Sequence, residues 1–207
     1  MFAAQGYIFS PVSYFERLWK ELPDTHPEHF EMRRDFLLAT LDPGSRVIDV
    51  GCGAGWFAAE LAHAGFAVVG VEVAAEPVRR ARERFPRLDF RLAGERQLPF
   101  DADAFDGAWL GEVLEHVADG IGLLEELVRV VAPGGLLVLS TPDHGWMLRL
   151  RLGVSRAAFE RHFEPRADHL RFFTAGTLRS LLEAVGFEQI AIRRAGAVLL
   201  ASARTPR

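Results

Sequence analysis

From Arg46 to Pro142 short apolar runs alternate with amphipathic stretches long enough to cross back over a sheet. "RVIDV", "FAVVGVEV", "LDFRLAG", "AFDGAWLG" and "LLVLSTP" read as strands, and "GWFAAELAHAG", "EPVRRARERF" and "GIGLLEELVRVV" as helices. Gly65 closes the first of these helices, Pro77 is tolerated in the first turn of the second, and "APGG" ends the third. Strand runs that are apolar throughout, separated by helices, predict a parallel sheet covered on both faces. The C-terminal part behaves differently. "TAGTLRSLLEAVGF" is a capped helix ending at Gly186, and "EQIAIRRAGAVLLASAR" gives two strands joined at Ala195-Gly196. So short a connection cannot make a parallel crossover, so these strands pair antiparallel.

The first forty or so residues read as a helical lead-in. "PVSYFERLWKEL" and "PEHFEMRRDFLLATL" space apolar residues three and four apart until "LDPGS" breaks the pattern. A chain of 207 residues with 49% hydrophobic and 25% charged residues fits one globular domain, 1–207. Within it, residues 1–42 form the lead-in and 43–207 the core, with an acceptor-side insertion near 143–173. A net charge of −4 gives no general attraction to nucleic acid or an anionic membrane. The arginine-dense "VRRARERFPRLDFR" has Val78, Ala81 and Phe85 as its apolar stripe, which leaves the arginines on a solvated face. A solitary Cys52 excludes an internal disulfide or a cysteine metal cluster, no apolar run approaches a membrane span, and no basic leader precedes an apolar core. A cytoplasmic protein, monomer or homodimer, is expected.

"VIDVGCGAGWFAAELA" places Gly51, Gly53 and Gly55 where the first strand hands over to the first helix. In a parallel sheet that is the crevice where ligands bind, and missing Cβ atoms let the backbone approach one. Glu72, ending the second strand, is placed to accept hydrogen bonds from ribose hydroxyls. A dinucleotide fingerprint needs G-x-G-x-x-G, but its third position here is Trp56. Asp49, just ahead of the loop, disfavours a diphosphate and suits an ammonium group. S-adenosylmethionine carries an amino group, a carboxylate, a sulfonium and a ribose, and no phosphate.

"VIDVGCGAG", "VVGVEV", "LPFDADAFDGAWLGEVLEHVAD", "LVRVVAPGGLLVLSTP" and "LLEAVGF" resemble, in that order, the class I S-adenosylmethionine-dependent methyltransferases. The resemblance is to the group holding small-molecule and quinone-pathway O-methyltransferases. It implies a Rossmann-like, doubly wound α/β sheet of seven strands, mostly parallel with an antiparallel last strand, plus a small helical N-terminal cap. It also implies that Asp49, Gly51, Cys52 and Gly53 hold the methionine moiety, Glu72 and Val73 the ribose, and Gly94, Glu95 and Arg96 the adenine. The backbone of Leu110 would line the sulfonium side. Relatives often carry Asp where this chain has Gly94; Glu95 follows one place late.

In "EVLEHV" the spacing of Glu112, Glu115 and His116 predicts one helical face. Carboxylates and an imidazole suit Mg²⁺ or Mn²⁺. The pattern resembles the metal site of quinone-pathway O-methyltransferases and of small-RNA 2′-O-methyltransferases, and "DHLRFFT" resembles the segment giving the latter another histidine, here His169. The alternatives are His116, His169 or His144 as a metal-free general base, or His116 as a mere anchor. Tyr7, Phe9, Trp19, Trp146 and Phe159 either roof an acceptor pocket or pack the cap. The expected activity is methylation of a small-molecule acceptor, on oxygen ahead of nitrogen or carbon. A catalytically silent cofactor-binding protein and a nicotinamide-dependent oxidoreductase are the alternatives.

Overall fold

The apolar runs become strands β1 (Arg46–Val50), β2 (Ala67–Glu72), β3 (Asp89–Leu92), β4 (Phe105–Gly111), β5 (Val131–Pro142), β6 (Glu188–Ala195) and β7 (Val198–Arg204) in a computed structural model. The structure describes residues 11–23, 25–94, 97–163 and 169–207. One seven-stranded sheet has the order β3-β2-β1-β4-β5-β7-β6. Neighbours from β3 to β5 run parallel, and β7 runs antiparallel to both β5 and β6. The reversal follows from the turn between β6 and β7, where Gly196 takes a φ of 63°. The doubly wound sheet and its antiparallel last strand are therefore as expected.

Helices α1 (Pro11–Glu21) and α2 (Phe30–Thr40) form the lead-in, followed by α3 (Trp56–His63), α4 (Ala75–Arg84), α5 (Gly120–Val130), α6 (Trp146–Val154), α7 (Arg156–His162) and α8 (Ala175–Val185). Side chains alternate across a strand, so each strand feeds two cores. Val47, Trp109 and Val138 pack with Phe30, Leu37, Phe57 and Leu61 of α2 and α3. Their sequence neighbours Ile48, Leu110 and Leu139 face the other way, onto Leu123, Leu127, Leu178 and Leu182 of α5 and α8. Thr174 and Thr177 form a capping box at the start of α8, and Gly186 ends it at φ 97°.

Two local expectations are corrected. "APGG" does not separate helix from strand; β5 begins at Val131, directly after α5, and the pairing with β4 skips from Val131 to Leu136. The four skipped residues form an irregularity inside the strand, with Gly134 at φ 75°. Nor is "EVLEHV" helical: after β4 the chain bends at Glu112, whose φ is 57°, and turns through Leu114–His116.

Leu182 is fully buried between α8 and the sheet, away from the strand tips. Leu182→Ala is expected to lower unfolding stability by about 2–5 kcal/mol, read from urea denaturation, without moving the loop after β1.

Candidate active site

The loop leaving β1 is bare for two different reasons. A Cβ on Gly53 would lie 2.8 Å from the Trp19 ring, and one on Gly51 would collide with Val113. Both have positive φ, 51° and 70°, which also favours glycine. The N–H groups of Gly51 and Cys52 donate to the Val71 carbonyl, at 2.8 and 3.0 Å, strapping the loop to β2. Gly53 N–H donates to Glu72 Oε2 at 3.2 Å. Oε1 of Glu72 accepts from Val73 N–H at 2.7 Å and Ala74 N–H at 3.3 Å. Burial raises the Glu72 pKa against the pull of these three amides. Cys52 is buried, with its sulfur near Gly70, as a packing residue.

These tips form the floor of a cavity of about 650 Å³. Gly51, Cys52, Gly53, Glu72, Val73 and Gly94 all line it. Glu95 and Arg96 lie outside the described residues. The Leu110 side chain packs in the core, and the residues directly after it, Gly111, Glu112 and Val113, line the wall.

Trp19 and Phe15, on α1, roof the cavity. Glu16 of the same helix accepts from the backbone N–H groups of Ala75 and of Glu76, the latter at 3.2 Å, at the start of α4. A carboxylate at a helix N-terminus is favourable, which docks α1 over the crevice. Tyr7 and Phe9 lie outside the described residues, and Phe159 is exposed on α7, away from the cavity.

Behind the floor sits a buried charge cluster. Asp49 is 1% exposed, and its Oδ2 has no hydrogen-bond partner. Burial, then Glu72, pushes its pKa up to about 7. Glu115 is fully buried, and burial with Glu112 beside it pushes its pKa up to about 8. Thr141 Oγ1 donates to one Glu115 oxygen at 3.0 Å, but the other oxygen and Oε1 of Glu112 are unpartnered. Arg33, on α2, is the cation among them. It is 2% exposed, its Nε is unpartnered, and it feels Glu112, Glu115 and Asp49 electrostatically. Sequence reasoning missed Arg33. The signal available was its position between Phe30 and Leu37, on the buried stripe of α2.

Glu115, His116 and His169 offer ligand atoms within 4.8 Å of one another. Glu112 is not one of this group, because its left-handed backbone turns it to the cavity wall. The His116 and His169 rings lie 4.8 Å apart, and His116 lines the cavity. His169 is brought there by the backbone: Leu170 N–H and Arg171 N–H donate to the Glu115 carbonyl at 2.8 and 3.1 Å. His144 does not line the cavity; its ring packs on His162 and Phe172, at 5.1 and 5.0 Å, and burial lowers its pKa.

Sheet and site together define a doubly wound α/β protein with a ligand-sized crevice at the tips of β1 and β2. The methyltransferase domain family model matches residues 25–192, and the chain belongs to that family. It is 30% identical over 173 residues to a Mycolicibacterium smegmatis protein named "Probable S-adenosylmethionine-dependent methyltransferase", covering 82% of this chain and 63% of that one. It is 33% identical over 144 residues to a ubiquinone biosynthesis O-methyltransferase of Xanthomonas oryzae, covering 67% and 60%. The chain thus spans less than two-thirds of either relative. A Pyrococcus horikoshii structure shares the fold, with a TM-score of 0.74 and 20% identity over 93% of this chain and 100% of that one. The family implies S-adenosylmethionine as cofactor.

The buried acids make stability depend on pH. Unfolded, both carboxyls ionise near pH 4; folded, Asp49 keeps its proton to about 7 and Glu115 to about 8. Between those limits the folded chain binds more protons than the unfolded one, so stability falls as pH rises from about 4 to 8. Urea unfolding of the ligand-free protein is expected to show this fall. Glu115→Gln should flatten it and be more stable than the parent chain at pH 8.5, roughly half a unit above that limit.

Proposed function

We propose that this chain transfers the methyl group of S-adenosylmethionine to an oxygen of a small, partly apolar acceptor. The observation carrying the reading is the Gly53 amide bonded to Glu72 at the joint tip of β1 and β2, above an unsatisfied Asp49 and Arg33. A ligand with ribose hydroxyls, an ammonium and a carboxylate answers all three. Oε2 of Glu72, which accepts from Gly53 alone, keeps a lone pair for a ribose hydroxyl, Arg33 on the cavity wall takes the carboxylate, and the buried Asp49 behind it favours the ammonium. Gly94, where an added Cβ would meet nothing, leaves room for the adenine. A nicotinamide dinucleotide fits less well, since its diphosphate would face two buried carboxylates and Trp56 fills the third glycine position.

The cofactor supplies a methyl group on a good leaving group, so the chain's own task is positioning and acceptor deprotonation. Glu115, His116 and His169 form a mixed oxygen and nitrogen set suited to Mg²⁺ or Mn²⁺, which would hold the acceptor oxygen and lower its pKa. Oxygen is favoured over nitrogen or carbon by that donor set and by the O-methyltransferase relative. The second reading, favoured by the contact between the two rings, makes His116 the general base with His169 beside it. The net charge of −4 supports a small-molecule acceptor over nucleic acid.

Calorimetric titration with S-adenosylmethionine should give saturable binding, weakened at least about tenfold by Glu72→Ala, the loss of one charge-assisted contact set. Undiminished binding in that variant would overturn the site. Release of S-adenosylhomocysteine with a phenolic acceptor separates an enzyme from a silent binder. For the metal, Mn²⁺ at about 100 times its Kd should stabilise the chain by about 2.7 kcal/mol, and His169→Ala should abolish that gain. A thermal shift that persists in His169→Ala favours the metal-free base.

A further inference from the structure

Among the described residues, nine large apolar side chains are exposed, and six come from the insertion around α6 and α7: Leu150, Val154, Phe159, Phe163, Leu170 and Phe172. They are not scattered. Phe159 and Phe163 have ring centroids 4.6 Å apart, and Phe163 and Phe172 are 5.3 Å apart. Leu150 and Val154 stand one turn apart on α6, which packs against α7. Phe159, Phe163 and Phe172 thus form one contiguous aromatic patch, and exposed apolar patches mark interaction surfaces.

The charge of the same stretch identifies its partner. Residues 146–163 carry Arg149, Arg151, Arg156 and Arg161 against Glu160 alone, a net +3 in a chain of net −4, leaving −7 elsewhere. Arg151 and Arg156 are exposed, Arg156 with Glu160 as an ion-pair partner at 2.7 Å. Exposed apolar side chains beside exposed arginines supply the two parts of interfacial attachment, apolar contact and attraction to anionic headgroups. Among the described residues no helix is long and apolar enough to cross a membrane. We propose that the α6–α7 segment docks on an anionic lipid surface, with Phe159 and Phe163 entering the acyl boundary and Arg151 and Arg156 facing the headgroups.

The patch adjoins the acceptor end of the cavity. Phe172 packs on His144 and His162, and Leu170 follows His169, whose ring meets His116 on the cavity wall. Lipid docking there brings the membrane to the side where an apolar acceptor enters. This clause alone rests on the methyl-transfer reading.

Flotation of the whole chain with phosphatidylcholine vesicles, with and without phosphatidylglycerol, tests the surface. Binding is expected only with phosphatidylglycerol and should weaken at high salt. Arg151→Glu with Arg156→Glu should lower partitioning at least about 25-fold, at roughly fivefold per arginine. Phe159→Ser with Phe163→Ser should abolish it. Cofactor titration on both variants reports folding, and on the parent chain it tests methyl-donor binding separately from lipid docking. Absence of flotation, equal flotation on neutral vesicles, or a dimer that the phenylalanine variant dissociates in sedimentation would each overturn the proposal.

Discussion

One carboxylate, Glu72, ties the crevice together. It is almost out of water, yet accepts hydrogen bonds from three backbone amides: one from the glycine loop and two from the lead into α4. Such bonds to an ionised acceptor are stronger than neutral ones and offset much of the burial cost. They also fix the β1 loop relative to the first turn of α4. That turn in turn binds Glu16, which docks α1, which sets Trp19 over Gly53. The interactions close a ring around the cavity, so the floor and the roof are positioned by one set of contacts.

The charges beneath the floor do not balance within the chain. Asp49, Glu112 and Glu115 surround a single guanidinium, and several of their polar atoms have no hydrogen-bond partner. Replacing buried ionic groups by apolar residues of similar volume is often neutral or stabilising, so a cluster left this unsatisfied costs stability. Such a cost is characteristic of sites whose missing partners arrive with a ligand. The raised pKa values of Asp49 and Glu115 report the same imbalance: burial and the neighbouring carboxylates outweigh the one guanidinium, so the protonated form is the cheaper state in the interior.

The sheet was legible because its central strands β1, β2, β4 and β5 are mostly apolar and alternate with helices, and the hairpin because Ala195-Gly196 leaves no room for a crossover. The β1 and β2 tips were legible for the same reason: a loop's position follows from the strand before it. "EVLEHV" misled because three-and-four spacing fits a helix equally well. Its backbone is set from outside the segment, by Leu170 and Arg171 donating to the Glu115 carbonyl and by the Arg171 guanidinium donating to the Val117 and Ala118 carbonyls. No local pattern encodes those partners. Arg33 was hidden beside Arg34, and only tertiary packing decides which of two adjacent arginines turns inward. His144 follows β5 as expected, but its ring is drawn to His162, a residue from the insertion.

That outside control has a consequence for how the two halves of the cavity are built. The donor end uses backbone and side chains of β1, β2 and the lead into α4, all fixed by the sheet. At the wall after β4, His116 lines the cavity and meets His169, from the return of the insertion, behind it. The second histidine is in place only while residues 170 and 171 stay bonded to the turn. The pairing of His116 with His169 can therefore change through α6, α7 and their return segment, with Glu72 and the glycine loop undisturbed. The strong part of the site is the part the fold must make in any case, and the adaptable part hangs on a few hydrogen bonds between two loops.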